Sequence, residues 1–429
     1  MSKTRVQKNV LAAYGKPLHY DTLLLLTGFL AMIVVVLVYN RPPFYDEPAY
    51  LADVTLLHHH GFSIAWLLRL HGSAGPLYSA VQYFFEPLTH LQPPFIRLLN
   101  SALLLGVIYF THLTLRTLHL YGGYAWYALA IPVTYTVAAL ALTEMPAMFF
   151  LALGIYLSAR ASRTASLPLV LLYALTGGAC IGIAVVGRQP YLVTVPAIAF
   201  LFLLSKHSRN RWLPALLFIA SSLVLPLYVF SVWKGLVPPG DAQYYANLAN
   251  QGISWRPDSV LLCIAYWAVC FLIIAPAIYR LPTKKEGVAW LLLYVLLAVL
   301  NSFFGWIPWL PMESLARKLL TTQALLQLAA NIIGAGLVLF SLYFIVTIGR
   351  WLMEKKRQPE TIIFFVAMLA LALTCIKITS GFSSRYAAQG LPFMLLAGGY
   401  FREQAPRPVL RVLIGIVLGL ISLLFYFSS

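Results

Sequence analysis

Residues 23–38 read LLLLTGFLAMIVVVLV, and this stretch decides the fold class. It contains no charged residue, and its polar and apolar positions do not alternate. A helix needs about 20 apolar residues to cross a bilayer, whereas the strands of a transmembrane β-barrel alternate between apolar and polar residues. Residues 332–348 show the same pattern far along the chain. These runs predict an all-α integral membrane protein.

The composition of the whole chain favours the same class. Of its 429 residues, 61% are hydrophobic and 10% are charged, and the mean hydropathy is +0.81. A soluble globular chain carries roughly 25% charged residues, and a soluble fold could not hide so much apolar surface from water. The apolar runs predict about 13 transmembrane helices, at residues 22–39, 96–115, 124–142, 146–159, 168–186, 190–205, 212–232, 259–279, 287–304, 329–349, 361–378, 386–401 and 409–427.

The positions of the charged residues predict the orientation. The first apolar run follows a basic stretch and is too long for a signal peptide, so we expect a retained span with a cytoplasmic N-terminus. In that orientation 20 of the 30 Lys and Arg residues lie on the cytoplasmic side, and eight of the 13 Asp and Glu residues lie outside. Cytoplasmic loops of membrane proteins carry such a basic excess. The net charge of +17 therefore indicates membrane topology rather than nucleic-acid binding.

The chain is predicted to form a single polytopic membrane domain, residues 1–429, with outer loops at about 40–95, 233–258 and 305–328. In the first loop, residues 64–70 and 77–88 are apolar and are predicted to be amphipathic helices along the membrane surface. The four cysteines lie within or at the ends of apolar runs and have no disulfide or zinc spacing. They are Cys180, Cys263, Cys270 and Cys375.

Several ionisable residues fall at the outer ends of predicted spans, where they are candidates for function because such groups are costly near a membrane. Asp46 and Glu47 lie in the stretch YDEPAY just after the first span, and Glu144 lies in a tight outer turn. A carboxylate at this depth could take a proton from a hydroxyl group or bind a metal or cation. The alternative is an ordinary solvated loop.

The basic residues of the same outer turns have two interpretations. Arg188 lies in the tight turn between the fifth and sixth predicted spans, Arg385 lies where the twelfth opens, and Lys377 lies about two turns before Arg385. These side chains could hold a phosphate group or extend to lipid headgroups. The run His58-His59-His60 suggests a metal site only weakly, because consecutive helical residues point in different directions.

Taken in order, these motifs resemble the GT-C superfamily of polytopic glycosyltransferases, which use polyprenyl-phosphate sugars. Residues 45–50 match its early acidic motif, and residues 75–78, GPLY, resemble the PPLY stretch that follows. Residues 143–150 look like its second acidic turn. Arg188-Gln189 is similar to the Arg-Gln of dolichyl-phosphate-glucose α-1,2-glucosyltransferases, and Arg385-Tyr386 to a motif of the protein mannosyltransferase and aminoarabinose transferase branch.

The resemblance implies a mechanism and a role for each residue. An inverting transfer would move a sugar from a polyprenyl-phosphate donor to an acceptor hydroxyl, on a lipid or lipid-linked glycan, at the non-cytoplasmic face. The resemblance implies no required cofactor, although a divalent metal is possible, and no nucleic-acid partner. It also implies a location in a bacterial inner membrane, with the site facing the periplasm, rather than in the endoplasmic reticulum. The resemblance implies that Asp46 is the catalytic general base and that Glu47 is a catalytic residue that orients the acceptor or a basic partner. It implies that the donor phosphate is bound by Arg188, Arg385 and Lys377. The residues implied to bind or orient the acceptor are Glu144, Tyr45, Tyr78, Gln189 and Tyr386.

Two other functions use the same residue types. A transporter or flippase of lipid-linked sugars would bind its cargo with the same acids and arginines, but such proteins often have broken helices and charges near the middle of the membrane. An O-antigen polymerase or ligase would usually place its arginines in one large late outer loop. The early acidic motif favours the transferase.

Overall fold

The computed structural model describes residues 19–72, 74–204, 211–250, 255–305, 316–317, 320, 322–353, 358–377, 382–404 and 408–428. Within these ranges every regular element is a helix, which confirms the predicted all-α class. The α-helices are α1 (His19–Val38), α2 (Glu47–His60), α3 (Ile64–Arg69), α4 (Leu77–Thr89), α5 (Phe95–Thr117), α6 (Pro132–Ala139), α7 (Glu144–Arg163), α8 (Leu167–Gly187), α9 (Val195–Leu203), α10 (Trp212–Trp233), α11 (Pro239–Asn250), α12 (Pro257–Ile274), α13 (Lys284–Phe304), α14 (Gln323–Met353), α15 (Pro359–Thr374), α16 (Ser384–Ala388), α17 (Leu391–Gly398) and α18 (Pro408–Ser428). Short 3-10 helices lie at Gly122–Ala130, Gln189–Thr194, Pro276–Ile278, Cys375–Lys377 and Gly399–Gln404.

Ten of the described helices are long and apolar enough to cross a bilayer: α1, α5, α7, α8, α10, α12, α13, α14, α15 and α18. Many of their large apolar side chains are exposed, for example Leu30 on α1, Leu227 on α10 and Leu292 on α13. Exposed apolar faces on so many long helices fit a hydrocarbon surrounding rather than water. The chain is therefore a multi-pass membrane protein.

Three of the predicted spans, 124–142, 190–205 and 386–401, are not single continuous helices. Each consists of shorter pieces, one of which begins next to a proline, at Pro132, Pro190 and Pro392. Proline lacks the amide hydrogen of a regular helix and fits only the first turn. Broken backbone at membrane depth is tolerated where it is buried in protein, and α6 and α17 are indeed buried. The predicted count of 13 continuous helices is not confirmed.

Side chains of α5 hold the irregular segment that follows α6. The Asn100 amide nitrogen donates to the carbonyl oxygens of Leu140, at 2.7 Å, and of Leu142, at 2.8 Å. The Ser101 hydroxyl donates to the carbonyl oxygen of Ala138 at 2.9 Å. These bonds replace the helical bonds that the segment lacks, and they fix the path of the chain into the first turn of α7.

Gly178 and Gly182 allow α8 and α10 to pack closely. A Cβ atom at Gly178 would lie 2.4 Å from the carbonyl oxygen of Phe218, and one at Gly182 would lie 2.8 Å from that of Ser222. Real Cβ atoms do not approach backbone so closely, so only glycine fits at these two positions. Small residues spaced by four are a common way for membrane helices to approach each other.

The segment predicted as the first outer loop contains three helices, α2, α3 and α4, and two of them coincide with the predicted stretches 64–70 and 77–88. The second contains α11, and most of the third, 305–328, lies outside the described residues, as do the basic residues before His19. That α3 and α4 lie along a membrane surface, and that the N-terminus is cytoplasmic, stay predictions.

Candidate functional site

Asp46 lies at the N-terminus of α2, after a sharp change of chain direction. Tyr45 has a positive φ of 54°, a conformation that is uncommon for a residue other than glycine. Asp46 is the N-cap residue, and Pro48 occupies the first turn of α2. The Asp46 carboxylate is half exposed, so a bound molecule can reach it.

Arg385 connects Asp46 to Glu144. Its Nη1 donates to the Asp46 carboxylate, and its Nε donates to Oε1 of Glu144 at 3.0 Å. Its Nη2 donates to the hydroxyl oxygen of Tyr50 at 3.3 Å. The residue is brought there by α16, a helix of five residues. One guanidinium group therefore contacts two carboxylates that lie almost 100 positions apart in the sequence.

Arg188 is the second cation on Glu144. Its Nη2 donates to Oε1 of the Glu144 carboxylate. With its amide oxygen facing the guanidinium, Gln389 accepts from Nη2 of Arg188 at 2.9 Å and from Nε at 3.3 Å. Glu144 is the first residue of α7, and Arg188 follows the last residue of α8. A carboxylate at a helix N-terminus and a cation at a C-terminus are each favoured by the backbone dipoles.

Asp46, Glu144, Arg188 and Arg385 form what we call the acid–arginine cluster. Glu144 is fully buried, and its Oε2 has no hydrogen-bond partner among the described residues. Burial would lower the pKa of Arg385, but Glu144, Tyr50 and Asp46 outweigh it and raise that pKa well above its usual value. Arg385 therefore stays protonated. The cluster offers two permanent cations beside a reachable carboxylate.

Tyr50 adds a hydroxyl group to the edge of the cluster. It lies one helical turn after Asp46, and its hydroxyl lies 3.4 Å from Oδ2 of that aspartate. Burial raises the pKa of Tyr50, with Arg385 acting in the opposite direction. The phenol therefore stays neutral, and it is able to donate a hydrogen bond to a carboxylate or to a bound oxygen atom.

Glu47 does not touch the cluster, although it is adjacent to Asp46 in the sequence. It is 1% exposed, and its two oxygens accept from Nε and Nη2 of Arg97 at 3.0 and 2.7 Å. They also accept from the backbone N–H of Ala141, at 2.8 Å, and of Phe44, at 3.1 Å. Every acceptor direction of Glu47 is therefore engaged by the protein itself.

Arg97 is the centre of this second, internal ion pair. Its side chain is 0% exposed, and its guanidinium lies 4.9 Å from the ring centre of Phe44 and 5.2 Å from that of Phe427. It also donates to the carbonyl oxygens of Arg41 and Pro42. The Glu47–Arg97 pair thus ties the start of α2 to α5 and α18, and through Ala141 to the segment before Glu144.

The other residues singled out in the sequence lie at various distances from the cluster. The Tyr78 ring is buried with its centre 5.4 Å from that of Tyr50. The Tyr45 ring is exposed and contacts Tyr426. Gln189 and Tyr386 directly follow Arg188 and Arg385 and are half-buried. The Lys377 ammonium lies 4.1 Å from the ring centre of Trp255, and no described contact joins Lys377 to the cluster.

Sequence reasoning missed three residues of this region: Tyr50, Arg97 and Gln389. A signal was present for two of them, because Tyr50 follows Asp46 by four residues and Gln389 follows Arg385 by four, which places each pair on one helical face. Arg97 is the third residue of the apolar helix α5. A charge inside such a run is costly and needs a partner, but the sequence does not say that the partner is Glu47.

The three consecutive histidines do not converge. The Nε2 atom of His58 lies 2.6 Å from Oε2 of Glu86, and that of His60 lies 2.7 Å from Nη1 of Arg69. Across the described ranges, no three or more His, Cys, Asp and Glu side chains are grouped so as to hold a metal ion.

A comparison with models of known protein families found no match, and a search of curated proteins found no significant relative.

Proposed function

We propose that this protein is a membrane glycosyltransferase that moves a sugar from a polyprenyl-phosphate donor to an acceptor hydroxyl at the non-cytoplasmic face. The observation that carries the proposal is the contact of Arg385 with both Asp46 and Glu144, together with Arg188 on Glu144. A proton acceptor thus lies beside two cations that suit a phosphate group. Sugar transfer from a phosphate needs both of these within reach of one anomeric carbon.

Asp46 is the general base of the proposed reaction. Its carboxylate takes the proton of the acceptor hydroxyl while the hydroxyl oxygen forms a bond to the anomeric carbon. The bond between that carbon and the phosphate oxygen breaks on the opposite side, so the configuration inverts. Tyr50 donates to Asp46 and holds the carboxylate in position.

Arg385 and Arg188 stabilise the leaving polyprenyl phosphate, which gains negative charge as the bond breaks. Donors arranged in advance at the position where charge develops are a large source of catalysis. Arginine suits this task because its planar fork matches two phosphate oxygens. The donor phosphate competes with Asp46 for Arg385, so binding of the donor releases the carboxylate to act as a base.

Glu144 and Glu47 act through basic partners. Glu144 holds Arg188 and Arg385 together through one oxygen atom. Glu47 holds Arg97, which fixes the start of α2 and hence the position of Asp46. Tyr45, Tyr78, Gln189 and Tyr386 are proposed to shape the acceptor side, and Lys377 is proposed to meet the donor phosphate as it arrives from the lipid.

The test is to incubate the purified protein with a panel of polyprenyl-phosphate sugars and candidate lipid acceptors. We expect release of polyprenyl phosphate together with a glycosylated acceptor for at least one donor. Asp258→Asn is a matched control, because Asp258 also lies at a helix start and pairs with an arginine, Arg256, but does not belong to the cluster. It should keep full activity.

The same assay distinguishes the transferase from a flippase. A flippase moves the intact donor between leaflets of a vesicle and leaves the bond between sugar and phosphate unbroken. Movement of intact donor, with no released polyprenyl phosphate for any donor of the panel, would contradict the proposal.

A further inference from the structure

A cavity of about 470 Å³ lies where α5 ends and the 3-10 helix Gly122–Ala130 begins. The residues that line it include His112, Arg116, His119, Gly122 and Gly123. None of the described residues that line it is acidic. One arginine and two histidines therefore surround a space that is large enough for a phosphate headgroup.

This cavity lies at the end of the molecule opposite to the acid–arginine cluster. Arg97 at the start of α5 contacts Glu47, next to the cluster, and Arg116 follows it by 19 residues on the same helix. At 1.5 Å per residue, these two arginines lie about 28 Å apart along the helix axis. That length is close to the thickness of the hydrocarbon core, so the cavity meets the other surface of the bilayer.

The shape of the cavity depends on two unusual backbone positions. His119 has a positive φ of 60° and directly follows the last turn of α5, where Leu120 N–H donates to the Leu115 carbonyl oxygen at 2.8 Å. Glycine usually takes this position, because a left-handed conformation is unfavourable for other residues. From this position His119 lines the cavity.

Gly122 is the second of these positions. The His112 imidazole hydrogen-bonds to its backbone, and a Cβ atom at Gly122 would lie 2.8 Å from Cγ of Arg116 and from Cε1 of His112. A side chain there would push both residues away. Because Gly122 has no side chain, the side chains of Arg116 and His112 can both pack against its backbone.

The donors in this cavity are available to a ligand. Arg116 is exposed, and none of the described carboxylates forms an ion pair with it. The N–H groups of Gly122 and Gly123 begin a helix and so have no partner within it. Guanidinium and free backbone N–H groups together are typical of phosphate sites.

We infer that this cavity binds the phosphate of an anionic lipid headgroup on the membrane surface opposite to the cluster. Basic pockets between transmembrane helices are known to take such headgroups, and α5 is long and apolar enough to cross a bilayer. A free phosphate ion offers the same chemistry, so the experiment has one arm for each source. The inference does not depend on the proposed transferase activity.

In the lipid arm, the purified protein is equilibrated in vesicles of equal phosphatidylglycerol and phosphatidylcholine, and the retained lipids are measured by native mass spectrometry. Wild type should retain phosphatidylglycerol preferentially. Arg116→Gln with His112→Gln should reduce that retention about tenfold, as expected for the loss of charge-assisted contacts. His119→Asn, which keeps a residue tolerant of positive φ, should reduce it less.

The control is Arg160→Gln, which removes an exposed arginine near the end of α7 on the same side of the bilayer. It should leave lipid retention unchanged. Thermal unfolding in detergent, compared between variants, verifies that each one is folded.

In the second arm, inorganic phosphate replaces chloride at equal ionic strength, and its effect on the unfolding temperature is measured. Stabilisation of wild type but not of the double variant, without lipid preference, would overturn the lipid assignment in favour of a free ion. Equal retention of phosphatidylglycerol by wild type and the double variant, together with an equal effect of phosphate on their unfolding temperatures, would show that the cavity is not a phosphate site.

Discussion

Asp46 is the residue on which the proposed chemistry depends most directly. Asp46→Asn keeps the size of the side chain and an oxygen that accepts from Arg385, but it removes the ability to take a proton. General-base assistance typically contributes 10²–10⁴ in rate, so turnover should fall by about a hundredfold or more. The measurement is sugar transfer by the folded variant, with donor binding measured in parallel. Near-normal turnover would remove the base assignment.

The side chains of Arg188 and Arg385 are predicted to bind the phosphate of the donor. Either alanine variant should lower kcat/KM for the donor more than kcat/KM for the acceptor, because a charge-assisted phosphate contact is lost. Substitution by lysine should restore only part of the activity, since the two-pronged fork is gone. Steady-state kinetics with each substrate varied in turn checks this.

The matched control is Arg256→Ala, which removes another arginine between helices, one that pairs with Asp258 outside the cluster. If the alanine variants at 188 and 385 have the donor dependence of this control, these two arginines only anchor headgroups or hold the fold.

Glu47 is expected to govern stability as much as activity. Glu47→Gln leaves the fully buried Arg97 without its carboxylate, and breaking a buried ion pair from one side typically costs about 3–5 kcal/mol. Thermal unfolding in detergent should show a clear fall in the midpoint. Glu286→Gln, which breaks a solvent-exposed pair with Arg350, should leave it almost unchanged. Equal midpoints for these two variants would show that burial of the Glu47–Arg97 pair has no energetic consequence.

At the scale of elements, the irregular stretch between α6 and α7 is held to the protein by side chains. Asn100→Ala removes the amide donor shared by the carbonyl oxygens of Leu140 and Leu142. The Leu140 oxygen still accepts from the Leu142 N–H, but the Leu142 oxygen loses this donor, and a buried group left unpaired costs about 1–3 kcal/mol. Because that stretch leads directly to Glu144, activity should fall as well as stability. Unfolding midpoints and sugar transfer are measured on the same preparations.

Asn301→Ala provides the comparison at this scale. Asn301 is also a buried asparagine, but it lies on α13 and bonds to Asn331. Its loss should lower stability with little change in the activity of the folded fraction. If the two variants lose activity in proportion to stability alone, the stretch before α7 has no special link to the site.

At the scale of the whole molecule, the four cluster residues come from four separate parts of the chain and share one end of the bundle. We predict that this end is non-cytoplasmic. Reporter cysteines at Tyr45, 55% exposed, and Leu281, 96% exposed, test it after the native cysteines are replaced. An impermeant thiol reagent added to intact cells should label position 45 and not 281. The reverse pattern would put the site on the cytoplasmic face.

The membrane class and the positions of the apolar segments could be predicted from the sequence, because they depend on local composition and run length. The three broken segments could not be predicted as such. A proline near the start of an apolar run is compatible with an intact helix, and whether the chain breaks there depends on buried contacts with other helices, which the run itself does not contain.

For the site, the sequence alone indicated which ionisable residues are costly near a membrane and are therefore candidates for function. It singled out Asp46, Glu144, Arg188 and Arg385, which the fold then brings into contact. Their pairing, in contrast, follows from the three-dimensional fold. Asp46 and Glu47 are neighbours with the same charge, yet one faces the cluster and the other is buried against Arg97. The reason is that burial and partner choice depend on contacts between helices far apart in the chain, which no local pattern contains.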